Sequence, residues 1–254
     1  MIKYRRKCFV AMLDIMGFKN LVEQNPEITY NLLKRAYLEA KRQAKYKTLD
    51  ISIFSDTIII VSQSDSKESF EDIIISSSHF IKLFLDEGFA INGAITYGDV
   101  VYDKSKNLCF GIPVSKAHLL QEDLFCYGII IDSSVLTKIK DFNNSAFSSY
   151  NHLITSDIII EIKVPLKSKG WITLSFINWL EIEQPNLSHK QQISIAKEQL
   201  TKLCKNLPSQ GRANMYFVNT ENCLKQWYDF TGIKNYTSGW GDTITDKYFM
   251  RVCE

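Results

Sequence analysis

Apolar positions along the chain change period several times. Cys8–Leu13 is a continuous apolar run, the pattern of a buried strand, and Asp14 closes it. Gly17 and Phe18 then turn the chain toward helix. From Glu27 to Lys45 the side chains of Ile28, Leu32, Ala36 and Ala40 recur at helical spacing, with Leu33 and Tyr37 beside them. Two β-rich runs, Leu49–Phe54 and Thr57–Val61, are separated only by Ser55 and Asp56, which predicts a hairpin. Ser66–Glu87 predicts a helix, and Gly88 is placed to stop it. Phe89–Val101 reads as strand; Gly93 and Gly98 inside it mark bulges or a close approach of backbone or ligand. Pro113–Gln121 predicts a helix with proline in its first turn, and Tyr127–Ile131 a strand. Asp132 is placed to cap a short helix after it.

The stretch Phe142–Tyr150 is polar and rich in Ser and Asn, so it predicts a loop. Strands are expected over Ile158–Val164 and Trp171–Ile177, joined by a turn from Pro165 to Gly170. Ser188–Leu207 is amphipathic and Thr220–Phe230 predicts a further helix, while Gly239–Asp242 reads as a turn too short for a phosphate loop. Trp171, Phe176 and Trp179 are expected in the core. Trp227, Tyr228 and Phe230 are expected to pack a C-terminal extension onto the sheet. The order β-α-β-β-α-β, with another helix and strand behind it, is that of a ferredoxin-like α+β sandwich. Helices cover one face of an antiparallel sheet, and the other face is left for a ligand or a second subunit. Two regions are expected: a domain over 1–180, and a helical extension over 181–254 packed on it.

Composition narrows the function classes. Of 254 residues, 45% are hydrophobic, enough for a packed core and too many for a disordered chain. A net charge of +2 gives no strong field for nucleic acid or an anionic membrane, so an anionic ligand must be met by a local cluster. The basic start, Lys3, Arg5, Arg6 and Lys7, precedes an apolar run that Asp14 interrupts too early for a secretory leader. No apolar stretch approaches the roughly 20 residues that span a bilayer. The six cysteines form no CxxC pair, and the four histidines lie far apart, which argues against structural zinc. They read as free thiols of a reducing compartment, so a cytoplasmic location is expected.

Two carboxylates carry the chemistry. Asp14 closes an apolar strand ahead of a glycine turn, and Asp56 sits at the tip of an apolar hairpin. Such a carboxylate needs compensation, either by turn N–H groups or by a bound cation. Strand pairing is able to bring the two together, and hard oxygen ligands suit Mg²⁺ or Mn²⁺.

The motifs around them resemble the class III nucleotidyl cyclases. Asp14-Ile15-Met16-Gly17-Phe18 is similar to the metal-binding strand end of that family, which reads Asp-Ile-x-Gly-Phe. Phe54-Ser55-Asp56 resembles its second metal carboxylate. Ile91–Gly98 resembles the strand that follows, and Phe110–Ala117 the helix at the dimer interface. The resemblance spans Cys8 to Gln121, and continues more weakly to Leu180. Within the family, Phe54–Ile58 and Asn92–Gly98 look most like the bacterial anti-phage pyrimidine cyclases of the Pycsar type. The resemblance implies cyclisation of UTP or CTP to the 3′,5′-cyclic monophosphate and pyrophosphate by two Mn²⁺ or Mg²⁺ ions. Asp14 and Asp56 would bridge the ions, with the Ile15 carbonyl as a further ligand. Backbone N–H groups around Gly17 and Phe18 would cradle the distal phosphates. It further implies a homodimer with shared sites, and an effector activated by the cyclic product.

The sequence also departs from the family. Where mammalian-type adenylyl cyclases read adenine through a Lys and an Asp, this chain has Ser52 and Leu108. The transition-state Asn aligns with Ser115, which keeps a hydroxyl, and the Arg with Leu119, which carries no charge. Lys116 and His118 are nearby cations, or else an exposed helix face. Lys167 and Lys169 are placed to reach a phosphate, or else form a solvated turn. Tyr97 offers an aromatic face to a base, or else packs in the core. An adenylate or guanylate cyclase with an atypical pocket and a non-catalytic nucleotide-binding module remain alternatives. A nucleic-acid enzyme is disfavoured by the near-neutral charge. The C-terminal helices are open between tightening a dimer and sensing a signal.

Overall fold

The computed structural model describes residues 4–142, 157–181, 187–206 and 212–230. Its first strand, β1 (Arg5–Met16), is longer than the apolar run, because both its flanks are paired. It runs antiparallel to β4 (Ala90–Asp103) over its whole length and to β3 (Thr57–Ser62) from Val10 to Asp14. Asp14 therefore lies inside the strand, opposite Thr57 on one side and Asn92 on the other, and does not end it. Beyond the strand Gly17 takes a left-handed φ of 75°, a turn that an L side chain resists, and the short helix α1 (Phe18–Gln24) begins.

Local chemistry explains the elements that follow. The Asn25 side chain accepts from the Ile28 N–H and Pro26 occupies the first turn, so α2 (Pro26–Gln43) starts there. β2 (Leu49–Phe54) and β3 form the expected hairpin, with Ser55 left-handed at its tip. Ser66 caps α3 (Lys67–Asp86), and Gly88 (φ 79°) follows its end. Asp72, buried on α3, accepts from the N–H groups of Tyr46 and Thr48 and from the Thr48 hydroxyl at 2.9–3.0 Å. Those three bonds satisfy a carboxylate that burial alone would penalise, and fix the link into the hairpin. Gly93 marks a close approach: a Cβ there would sit 2.7 Å from the Met12 carbonyl oxygen of the neighbouring strand.

The described strands form one sheet in the order β2-β3-β1-β4-β6 (Gly128–Ile131)-β8 (Gly170–Ile177)-β7 (Ile159–Leu166), with β5 (Leu108–Phe110) on β4. Its first four strands have the order and antiparallel pairing of a ferredoxin-like sandwich. β6 joins β4 in parallel, the one exception to the antiparallel expectation among the described strands. β8 and β7 complete it, and Pro165 and Leu166 extend β7 rather than the turn. Pro165 belongs to the last described strand of the sheet order, where proline's lack of an N–H is tolerated.

Alternation along β1 divides the core. Phe9, Ala11, Leu13 and Ile15 face α2 and α3 in the main core, with Leu32, Ala36, Phe70, Ile73 and Ile74. Cys8 and Val10 face the other way, into a second cluster with Val61, Val100 and Tyr102. That second face is not left free, as the sequence suggested: α4 (Ile112–Asp123) lies on it, with Val114 against the second cluster. Asp132 bonds the Ser134 N–H at the start of α5 (Ser133–Phe142). α6 (His189–Asn206) and α7 (Arg212–Phe230) follow; α7 starts earlier than the pattern indicated. Phe176 and Trp179 are buried as expected, whereas Trp171 is 44% exposed. Cys8, Cys109, Cys126 and Cys223 are free thiols. No helix among the described residues is long and apolar enough to cross a membrane. Of the predicted loop Phe142–Tyr150, Phe142 ends α5 and the rest lies outside the described residues, as do the side chains of Trp227, Tyr228 and Phe230 and the Gly239–Asp242 turn.

Candidate active site

The end of β1 brings the two candidate carboxylates together. The Ile15 N–H donates to the Asp56 carbonyl oxygen at 2.9 Å, which ties the hairpin tip to the strand one residue beyond Asp14. In an extended strand the N–H and C=O of one residue share an edge, so the Ile15 carbonyl also points toward that tip. Asp14 is partly buried, and burial raises its carboxyl to about 6. The charge of Asp56 pushes in the same direction, as does Glu122, while His118 and Lys167 oppose them. The Asp56 charge thus disfavours the charged form of Asp14 at this strand end.

Asp14 opens onto a cavity of about 500 Å³, lined by Met16, Thr57, Asn92, His118, Gln121, Glu122, Lys167 and Tyr216 as well. Its floor is a reciprocal amide pair. The Gln121 Nε2 donates to the Asn92 Oδ1 at 3.0 Å, and the Asn92 Nδ2 donates to the Gln121 carbonyl at 3.4 Å. Both residues are buried, so the pair locks α4 to β4 beside Asp14. The turn between β7 and β8 is fastened to the end of α4 as well. The Lys167 N–H donates to the Asp123 carbonyl at 2.8 Å, the Ser168 N–H to the Asp123 side chain at 2.7 Å, and the Lys167 ammonium to the Glu122 carbonyl.

The candidate residues fall into two groups. Asp14, Ile15 and Asp56 meet at one strand end, with Gly17 and Phe18 in the turn just beyond it. Tyr97 does not join them. It stands on the opposite face, against Phe9, and its hydroxyl donates to Asp65 at 2.9 Å, with Lys138 over its ring. Stacking on a base beside Asp14 does not fit that placement. Ser115 is exposed on α4 and does not line the cavity, and neither does Lys169; Lys167 takes the place in the turn expected of Lys169. Lys116 is engaged by Asp132 at 2.8 Å, and His118 is the basic side chain of α4 that lines the cavity. The sequence did not single out Asn92 and Gln121, although Asn92 stands out as an amide inside an apolar strand. It gave no signal for Glu122 or Tyr216, which long-range packing brings in.

The donor set fits a divalent cation of a particular kind. Two carboxylates and a backbone carbonyl are hard oxygen donors suited to Mg²⁺ or Mn²⁺. Among the described residues no group of three or more His, Cys, Asp or Glu side chains is placed to hold a metal ion.

No family model and no curated protein matches the chain. Among solved structures it is similar to the monomeric guanylyl cyclase domain of the RhoGC fusion protein from the aquatic fungus Blastocladiella emersonii. That match has 13% identity and a TM-score of 0.49, and covers 68% of this chain and 94% of that one. It is also similar to the adenylyl cyclase CyaB from P. aeruginosa, at 17% identity and a TM-score of 0.44, covering 68% and 94% of the two chains. A third similarity is to an adenylate cyclase from Trypanosoma brucei, at 11% identity and a TM-score of 0.47, covering 72% and 91%.

Proposed function

We propose that this chain is a nucleotidyl cyclase that converts UTP, or CTP, into its 3′,5′-cyclic monophosphate and pyrophosphate. The observation that carries this reading is the meeting of Asp14 and Asp56 at the end of β1, beside a cavity that also holds Lys167 and His118. The motifs around both aspartates support it, as do their hard oxygen donors, which suit Mg²⁺ or Mn²⁺.

Asp14, Asp56 and the Ile15 carbonyl would hold the divalent ions. Bound there, such ions supply an acidified ribose 3′-hydroxyl and a counter-charge for pyrophosphate. Lys167, held by the Glu122 carbonyl, places a cation for the phosphates, and the Asn92–Gln121 pair keeps α4 and His118 in register with Asp14. Ser52, exposed on β2, and Leu108, on β5, leave the purine-reading positions without charge, which supports a pyrimidine substrate. Phe54, Ile112 and Leu119 stay exposed at 82%, 83% and 63%. Apolar exposure of that extent supports a homodimer whose shared sites receive residues from the second subunit. A role in anti-phage signalling, through an effector activated by the product, follows from the same resemblance.

Leu119 and Ser115, both exposed where the family places Arg and Asn, favour a second reading: a nucleotide-binding module without turnover. Purified protein incubated with Mn²⁺ and each of ATP, GTP, CTP and UTP, with products identified by mass, separates the two. A cyclic pyrimidine monophosphate is expected. A cyclic purine as the main product overturns the base assignment. Triphosphate binding without any cyclic product establishes the module.

A further inference from the structure

The last described helix, α7, is fastened to the sheet by bonds that leave one of its side chains in the cavity. The Tyr127 N–H donates to the Thr220 hydroxyl at 2.7 Å and the Asn219 amide to the Phe125 carbonyl at 2.7 Å. The Gln226 side chain accepts from the Lys163 N–H and donates to the Lys163 carbonyl, both at 2.9 Å, as a neighbouring strand would. The Tyr127 hydroxyl donates to the Ala213 carbonyl at 3.2 Å. These contacts bracket Tyr216 from both sides along α7.

The ring of Tyr216 is fully engaged. Tyr127 stacks on it at 5.5 Å and 24°, Phe125 meets it edge-on at 4.9 Å, and the Lys167 ammonium lies 5.6 Å from its centroid. The residue is only 4% exposed, yet it lines the cavity shared with Asp14. Its hydroxyl has no hydrogen-bond partner among the described residues. The ring is buried and firmly held, whereas the hydroxyl is not among the buried polar atoms left without a partner, so it is open to the cavity and to a ligand there. With the ring covered, it offers a ligand the hydroxyl and not a stacking surface. The neighbouring Lys167 favours an anionic oxygen as the acceptor.

We propose that Tyr216 is a substrate-contacting residue whose hydroxyl donates to a phosphate oxygen of the bound triphosphate beside Lys167, so that α7 forms part of the active site. The identity of the ligand rests on the cyclase reading; the phosphate contact itself does not. Tyr216→Phe keeps the ring and its packing, so the melting temperature should stay within a degree or two while one hydrogen bond is lost. Binding of inorganic tripolyphosphate with Mg²⁺, measured by calorimetry on the full chain, should weaken by about 10-fold, the loss expected for one bond to a charged acceptor. The KM for the nucleotide should rise by a similar factor.

Equal binding of tripolyphosphate by wild type and variant overturns the assignment, even where wild type makes cyclic product and the cyclase reading stands. Weaker binding of UTP with unchanged binding of tripolyphosphate also overturns it, by moving the hydroxyl to the base or ribose. Loss of tripolyphosphate binding in Tyr216→Phe, with no cyclic product from wild type, sinks the cyclase reading and leaves the phosphate contact in place.

Discussion

Asp14→Asn is expected to remove cyclic product while stabilising the metal-free protein at pH 8. Burial and the charge of Asp56 raise the folded carboxyl from 3.8 to about 6, so the folded state holds that proton more tightly than the unfolded chain does. The favourable contribution of the protonated acid is complete below about pH 4 and is lost as pH rises through about 6. Above that, the ionised carboxylate costs on the order of 1–2 kcal/mol, once the shift is discounted for a partly exposed group. Asn carries no charge and escapes this cost. Its melting temperature should exceed that of wild type at pH 8 and match it at pH 4. Mg²⁺ with tripolyphosphate should raise the melting temperature of wild type and leave that of the variant nearly unchanged. Ions that offset several kcal/mol of transition-state charge correspond to a rate loss of about 10³-fold or more. A variant that keeps near-wild-type turnover, or a melting gain independent of pH, contradicts the role given to Asp14.

Lys167→Ala is the second large effect. Its ammonium lines the cavity, donates to the Glu122 carbonyl and lies over the Tyr216 ring, in a turn fastened to α4 by Asp123. An ordered cation so placed is worth about 1.5–3 kcal/mol to a phosphate, so kcat/KM should fall by about 10–10²-fold. Lys169 is exposed and does not line the cavity, so Lys169→Ala should stay within about two-fold. Steady-state kinetics of the two variants decide between them; the reverse order would return the phosphate contact to Lys169.

How far the sequence carried depends on the range of the interaction concerned. The hairpin from Leu49 to Ser62, the capped helix α3 and the strand β4 were legible because their signals are local: two-residue turns, a Ser cap, an apolar period. The sheet order of the first four strands followed from that element order. Asp14 and Asp56 stood out in the sequence because a carboxylate in an apolar run needs compensation. Their meeting required register, which β1 and β3 supply. Tyr97 failed as a base contact because strand parity, one residue either way, decides which face a side chain takes, and Tyr97 pairs with Phe9 on the core side. Lys167 and Lys169 lie in one turn with nothing local to rank them; the bonds to Asp123 and Glu122 do so. Tyr216 was out of reach, because its place at the cavity is set by contacts of α7 with residues about 90 positions earlier, among them Tyr127 and Phe125.

The proposed role of Asp14 and Asp56 is to hold divalent ions together with the substrate. Electron paramagnetic resonance of Mn²⁺, titrated into the protein with a 3′-deoxy nucleoside triphosphate that binds but cannot cyclise, counts those ions directly. Two Mn²⁺ per site in wild type are expected, with tight binding lost in Asp14→Asn and in Asp56→Asn. One ion or none in wild type, or the same count in both variants, would contradict the account.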